Sequence, residues 1–355
     1  TLEEGHEHHR AGRLKEAHDV YKVVVTNEPE NAAAHYLLGT LYMQGGNNEL
    51  AVDLLAKAVD LEGGNQEYRC NLGTALLQVG RLEEGLGLLK ETLEAEPDHL
   101  LAHTNLAHAY AESGDTVLAE NHLKAIIRID SRNARAYGDM GVIMAKRGAF
   151  DRALENFRRA LDLQPGDPDF QINLANALLE SGDIDAAIPR YERLLKEGPR
   201  SVLARFHLGV AHERKRDFEE AIAHFRQATE INPEFAEARV NLVSVLIQTD
   251  RVKEAETEAR EGVRQTPENA LAHTALANVL LQLEQPQEAL DAADRAIAID
   301  NTRGNYYAFR ALARMGLGET DAANADIKSA VDLGFDAGLL SEQVDNMRSR
   351  SPASP

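Results

Sequence analysis

Apolar residues recur along this chain at i, i+3, i+4 spacing in stretches of about 12 residues, each followed by a short polar break. Leu72, Ala75 and Leu76 form one such stripe, and Leu86, Leu89 and Leu93 form the next. This period predicts amphipathic helices throughout and no strand. The helices come in pairs, and the pair repeats every 34 residues without an insertion or deletion. A small residue marks the middle of each first helix: Gly5, Gly39, Gly73, Ala107, Gly141, Ala175, Gly209, Val243, Ala277 and Ala311. Twelve residues on stand Ala17, Ala51, Gly85, Ala119, Ala153, Ala187, Ala221, Ala255, Ala289 and Ala323. Four further on come Tyr21, Leu55, Leu89, Leu123, Phe157, Tyr191, Phe225, Ala259, Ala293 and Ile327. The small positions allow two helices to approach closely, so a larger side chain there should force them apart.

The breaks have their own chemistry. Gly12, Gly46, Gly80, Gly114, Gly148, Gly182 and Gly318 sit where a helix ends at positive φ. Pro29, Pro97, Pro165, Pro199, Pro233 and Pro267 close the unit, and Asn31, Asn65, Asn133, Asp167, Ser201 and Asn269 follow as N-caps. Pro189 falls inside a second helix and should cost about 3 kcal/mol or bend it. Ala259 and Ala293 replace a large residue, so packing should be thinner there.

Small, small, large and Pro at these offsets resemble the tetratricopeptide repeat, and the resemblance covers about residues 1–335. It implies an all-α fold: a right-handed α-solenoid superhelix of about ten 34-residue helix-turn-helix repeats, the first one truncated. Residues 336–347 are expected to form a C-terminal capping helix, with Leu340, Val344 and Met347 on one face, and residues 348–355 a disordered tail. The aromatic often found early in the first helix is replaced in several repeats, as by His35, Arg69, His103, Gln171, Arg205, Arg239 and His273. No linker or shift of composition marks a second domain.

Charge and composition narrow the function. Lys and Arg number 38 and Asp and Glu 58, so the formal charge is 38 − 58 = −20. That argues against nucleic acid or an anionic membrane as partner. No apolar run approaches the ~18 residues of a membrane span. The opening TLEEGHEHHR lacks a signal peptide's apolar segment. A cytoplasmic location is expected, with the periplasm left open because the chain starts at Thr. The single Cys70 excludes an intrachain disulfide and multi-cysteine metal sites. Nothing points to an enzyme or a cofactor: there is no phosphate loop, and Arg216 stands where a zinc-protease motif beginning at His212-Glu213 needs its second His. His6 and His9 share a helix face beside Glu4 and Glu7, but a fraying polar first helix accounts for them, and no metal site is predicted.

The resemblance places the first helices along a concave groove where ligands lie. Two residues before the small marker stand Asn71, Asn105, Asn173 and Asn241, with Asp139 and His207 at the same place. Asn costs a helix interior about 0.5 kcal/mol against Ala. Two readings stand open: a partial ladder gripping a peptide backbone, or hydrogen bonds to the neighbouring repeat. The Asn-Leu-Gly and Asn-Leu-Ala triplets resemble the repeat arm of O-GlcNAc transferase, which has a similar asparagine ladder. Other groove candidates are Tyr36, Thr74, His108, Arg135, Lys146, Asn176, Phe206, Arg214 and Asn278. The clamp that holds chaperone C-termini is absent. Residues 188–216 carry eight Lys or Arg against three Glu, a net +5, and form either a docking belt or a solvated face. Arg310 occupies a normally apolar position and should pair with Asp326. The expected function is a protein–protein interaction scaffold that binds an extended peptide or partner protein. The alternatives are the substrate-selecting arm of a larger enzyme such as a glycosyltransferase, and a self-assembling scaffold, so a homo-oligomer is possible.

Overall fold

The computed structural model describes residues 1–350. Twenty-one α-helices account for the regular structure, and no strand occurs among the described residues. They divide into two compact units, Thr1–Phe170 and Gln171–Pro355. The boundary lies inside a helix, which is why no linker marks it.

In the first unit the hairpins are α1 (Leu2–Arg10) with α2 (Leu14–Asn27), α3 (Ala32–Gln44) with α4 (Asn48–Leu61), α5 (Gln66–Gln78) with α6 (Leu82–Ala95), α7 (Leu100–Glu112) with α8 (Thr116–Ile129), and α9 (Ala134–Lys146) with α10 (Phe150–Leu163). Helix α11 (Pro168–Glu180) contains the division. The second unit continues with α12 (Ile184–Glu197), α13 (Val202–Lys215) with α14 (Phe218–Ile231), α15 (Ala236–Gln248) with α16 (Val252–Gln265), α17 (Ala270–Gln282) with α18 (Pro286–Ile299), and α19 (Gly304–Gly316) with α20 (Thr320–Asp332). A last helix, α21 (Ala337–Arg350), buries Leu340 and Val344 in the core of this unit. Residues 348–350 therefore continue a helix, where the sequence suggested a disordered tail. The Met347 side chain and residues 351–355 lie outside the described residues.

Five hairpins are closed by the same fit. A Cβ added to Gly141 would lie 2.6 Å from Phe157 Cε1, and one on Gly209 would lie 2.7 Å from Phe225 Cε1. Gly5 meets Tyr21, Gly39 meets Leu55 and Gly73 meets Leu89 in the same way. The pairing is reversed where the marker is Val243, because its partner shrinks to Ala259. A narrow gap remains there, lined by both residues and by Gly262, and the buried Arg239 reaches into it to pair with Glu258 at 2.7 Å.

The residues that replace the early aromatic share one task. His35, His103 and His273 donate from Nε2 to the carbonyls of Pro29, Pro97 and Pro267. Arg69, Arg205, Arg239 and Tyr307 donate to the carbonyls of Gly63, Pro199, Pro233 and Asn301. In every case the acceptor lies six residues earlier, in the turn between repeats. A donor at this position satisfies a carbonyl that helix geometry leaves open.

Two expectations meet local structure. Arg310 pairs with Asp326 through both carboxylate oxygens, at 2.9 and 2.7 Å, and Arg314 joins at 2.8 Å. Arg310 also reaches Asp294 at 2.8 Å. Pro189, in contrast, does not interrupt α12, which runs the full length of its counterparts. Its ring is exposed, as is Asp185, whose carbonyl loses its helical partner and can take water instead.

Two stability tests follow from this geometry. Gly141→Ala should lower stability by about 1–3 kcal/mol in chemical denaturation. Gly87→Ala, where nothing lies within 4 Å of the new Cβ, should be neutral or raise stability by about 0.5–1 kcal/mol. Equal responses would show that the ring does not set the helix spacing. At the turns, Asp250 and Glu284 take φ of 59° and 56° where most repeats have Gly. Asp250→Gly with Glu284→Gly should raise the melting temperature, since left-handed backbone costs a non-glycine residue about 1 kcal/mol; an unchanged or lower value would contradict the assigned strain.

Candidate functional site

The first helices of successive repeats touch directly, α3 with α5 and α5 with α7 in the first unit and α15 with α17 in the second. In the first unit this contact carries a line of hydrogen bonds. Tyr36 Oη donates to Glu67 Oε1 at 2.7 Å and accepts from Asn71 Nδ2 at 2.8 Å. The Tyr36 ring stacks on Tyr68 with centroids 4.5 Å apart. One repeat on, Thr74 Oγ1 donates to the Cys70 carbonyl at 2.8 Å and accepts from Asn105 Nδ2 at 2.6 Å. Asn71 and Asn105 therefore each spend an amide proton on the preceding repeat. Asn71 is only 7% exposed.

The line stops at α9. Asp139, at the equivalent position, accepts from Arg135 Nε on its own helix at 3.1 Å and makes no hydrogen bond to α7. A cavity of about 180 Å³ opens here between α7, α8 and α9. Ala107, Ala111, Leu123, Val142 and Ile143 give it apolar walls, and His108, Glu112, Asp139 and Lys146 line its polar side. Burial pushes the Asp139 carboxyl above its usual range, against the pull of Arg135 and His108.

The second unit holds the other candidates. Asn173 on α11, Asn241 on α15 and Asn278 on α17 are half-buried, and their side chains have no hydrogen-bond partner among the described residues. Asn176 Oδ1 accepts from Tyr191 Oη at 2.6 Å. His207 stacks on the Tyr191 ring at 5.9 Å, and burial pushes its imidazole down, which favours the neutral form. Phe206 packs edge-on against Phe235. Arg214 donates to the Leu179 carbonyl and to Glu180, at 2.8 and 2.6 Å.

Sequence reasoning thus picked two kinds of residue without separating them. Asn71, Asn105, Asn176, Phe206 and Arg214 are held in contacts within the chain. Asn173, Asn241, Asn278 and Lys146 carry polar groups with no partner among the described residues. The cavity walls were missed, because Leu123, Val142 and Ile143 read as ordinary core; the one available signal was the change from Asn to Asp139. In the basic segment, Arg193 is tied to Glu197 and Lys215 to Asp185. At the N-terminus, His8 accepts from Arg13 and His9 bonds Gln44. Among the described residues, no three His, Cys, Asp or Glu side chains converge as a metal site would need, and no helix is long and apolar enough to cross a membrane.

Comparison with known proteins agrees with the helical hairpins. One family model described as Tetratricopeptide repeat matches residues 2–65 and 172–234, and a second with the same description matches residues 76–140 and 214–279. Together they take in more than half of the chain. The chain belongs to the tetratricopeptide repeat family. The solved structures share the fold. A tetratricopeptide repeat protein from Parabacteroides merdae is 20% identical, with 70% of this chain and 98% of that one covered at a TM-score of 0.56. The APC/C hetero-tetramer Cut9-Hcn1 aligns at 12% identity over 97% of this chain and 95% of that one, with a TM-score of 0.51. None of the curated proteins matches. The tetratricopeptide repeat is a protein-interaction scaffold, and this chain is an all-α solenoid built from it.

The tetratricopeptide asparagines should separate under mutation. Asn71→Ala breaks the Tyr36 bond inside the array and should cost about 1 kcal/mol of stability in denaturant titration. Asn241→Ala removes no internal bond and should be neutral, or gain about 0.5 kcal/mol in helix propensity. Matching losses in the two variants would contradict the division drawn here.

Proposed function

We propose that this protein binds an extended peptide along the faces of its first helices, and that it acts by binding rather than by catalysis. The observation that carries the reading is the pair Asn173 and Asn241. Both stand at the same repeat position, both are half-buried, and neither amide has a hydrogen-bond partner among the described residues. An asparagine in a helix interior costs about 0.5 kcal/mol relative to alanine, and these two return no hydrogen bond to the described residues. Each presents a donor and an acceptor side by side, the complement of a peptide unit.

Spacing supports the same ligand. Packed helices lie about 8–10 Å apart, so two repeats separate these amides by about 20 Å, the reach of about six extended residues. Hydrogen bonds of this kind contribute about 0.5–1.5 kcal/mol each and do not discriminate between sequences. Selectivity has to come from side-chain contacts elsewhere on the first-helix faces. A formal charge of −20 disfavours nucleic acid as the occupant and favours peptides with basic residues.

Selection of random peptides on the immobilised full chain, followed by calorimetry on the recovered sequences, tests the reading. Binders should emerge, and Asn173→Ala with Asn241→Ala should weaken them about tenfold or more. Failure to recover any binder, or binders indifferent to the double variant, would refute it.

A further inference from the structure

We infer that the cavity between α7, α8 and α9 is an anchor pocket for a lysine or arginine side chain of the bound peptide, an assignment that rests on the peptide-binding reading above. The cavity opens where the repeat pattern fails to close itself. At the α5–α7 junction, Asn105 bonds Thr74 across the gap at 2.6 Å. The equivalent residues at the next junction are Asp139 and His108, which make no such bond. At the mouth, Glu112 and Lys146 occupy the positions that Glu180 and Arg214 hold two repeats later. Glu180 and Arg214 pair at 2.6 Å, whereas Glu112 and Lys146 form no ion pair. Two closing contacts are thus missing at one junction, and about 180 Å³ is left, against about 30 Å³ for one water.

The chemistry of the walls selects the guest. Ala107, Ala111, Val142 and Ile143 offer an apolar lining suited to a chain of methylenes. Asp139 contributes a carboxylate with one hydrogen bond, from Arg135, and an oxygen left over. Glu112 and Lys146 offset one another, and Asp139 is the remaining carboxylate of the lining; its partner Arg135 is not part of that lining and bonds only one of its two oxygens. An acidic guest would be repelled by Asp139. A purely apolar guest would cover it without replacing its water. A long cationic side chain satisfies both parts of the site, stem against the wall and charge against the carboxylate. Burial raises the Asp139 carboxyl even with Arg135 beside it, and an arriving cation would add to the compensation that Arg135 supplies.

The test uses the full chain with methyl-labelled Leu, Val and Ile, titrated with n-butylguanidinium and with its neutral isostere n-butylurea. Saturable shifts are expected at the Leu123, Val142 and Ile143 methyls, with butylurea at least tenfold weaker. Asp139→Asn should abolish that preference, and Ala111→Leu, which fills the cavity from its apolar side, should remove both probes. Equal binding of the two probes, a preference that survives Asp139→Asn, or the absence of saturable shifts at tens of millimolar probe would overturn the assignment. The outcome is independent of the peptide selection. Selected peptides that bind Asp139→Asn unchanged would sink the pocket alone, whereas a selection without binders would sink the peptide reading and with it the anchor role, leaving only a cavity that takes small cations.

Discussion

The hairpins of this chain depend above all on a large side chain of one helix filling the space left by a missing side chain on its partner, a fit that five of them share. Gly141 and Phe157 show the fit at its tightest. The pair sets the distance between the helices, and that distance lets the remaining apolar residues interlock. Because the fit is local to each hairpin, it can be inverted without loss of the repeat, as Val243 and Ala259 demonstrate. The thin packing that results is bridged by Arg239, whose charge is returned to the surface through Glu258.

Once the hairpins are fixed, polar groups must be satisfied at their joints. In seven repeats the side chain six residues after the inter-repeat carbonyl does this, and His, Arg and Tyr all serve because all three donate over a similar reach. The chemistry tolerated at this position is therefore a hydrogen-bond donor rather than an aromatic ring. The same logic explains the first-helix contacts. Where Asn71 and Asn105 bridge to the preceding repeat the surface is closed, and where Asp139 turns back to its own helix a hollow remains.

The 34-residue period made the hairpins, their turns and the Arg310–Asp326 pair legible, since each depends on residues at constant offsets within one or two helices. Asn71 was harder to read, because its burial depends on Tyr36, 35 residues away and absent from most repeats at that place. Asn241 looks identical in sequence, yet has no such neighbour. For Pro189 the helix continues through the residue, and its cost depends on whether water can reach the freed carbonyl, on which propensity carries no information. The cavity beside Asp139 is a sum of contacts not made, which no single residue announces. The division after Phe170 falls inside a helix that reads like every other.

The charged layer in the last hairpin has a consequence for how so repetitive a chain orders itself. Arg310 reaches across its repeat boundary to Asp294. The residues that occupy the Asp294 position in other repeats include Lys22, Lys90, Lys124, Arg158, Arg226 and Arg260. Were the terminal hairpin to dock one slot too early, Arg310 would face Arg260, and like charge would oppose the mistake before apolar packing could trap it. A chain of similar bricks thus carries a charge key in the hairpin of Arg310, one that Arg260, one slot earlier, does not match.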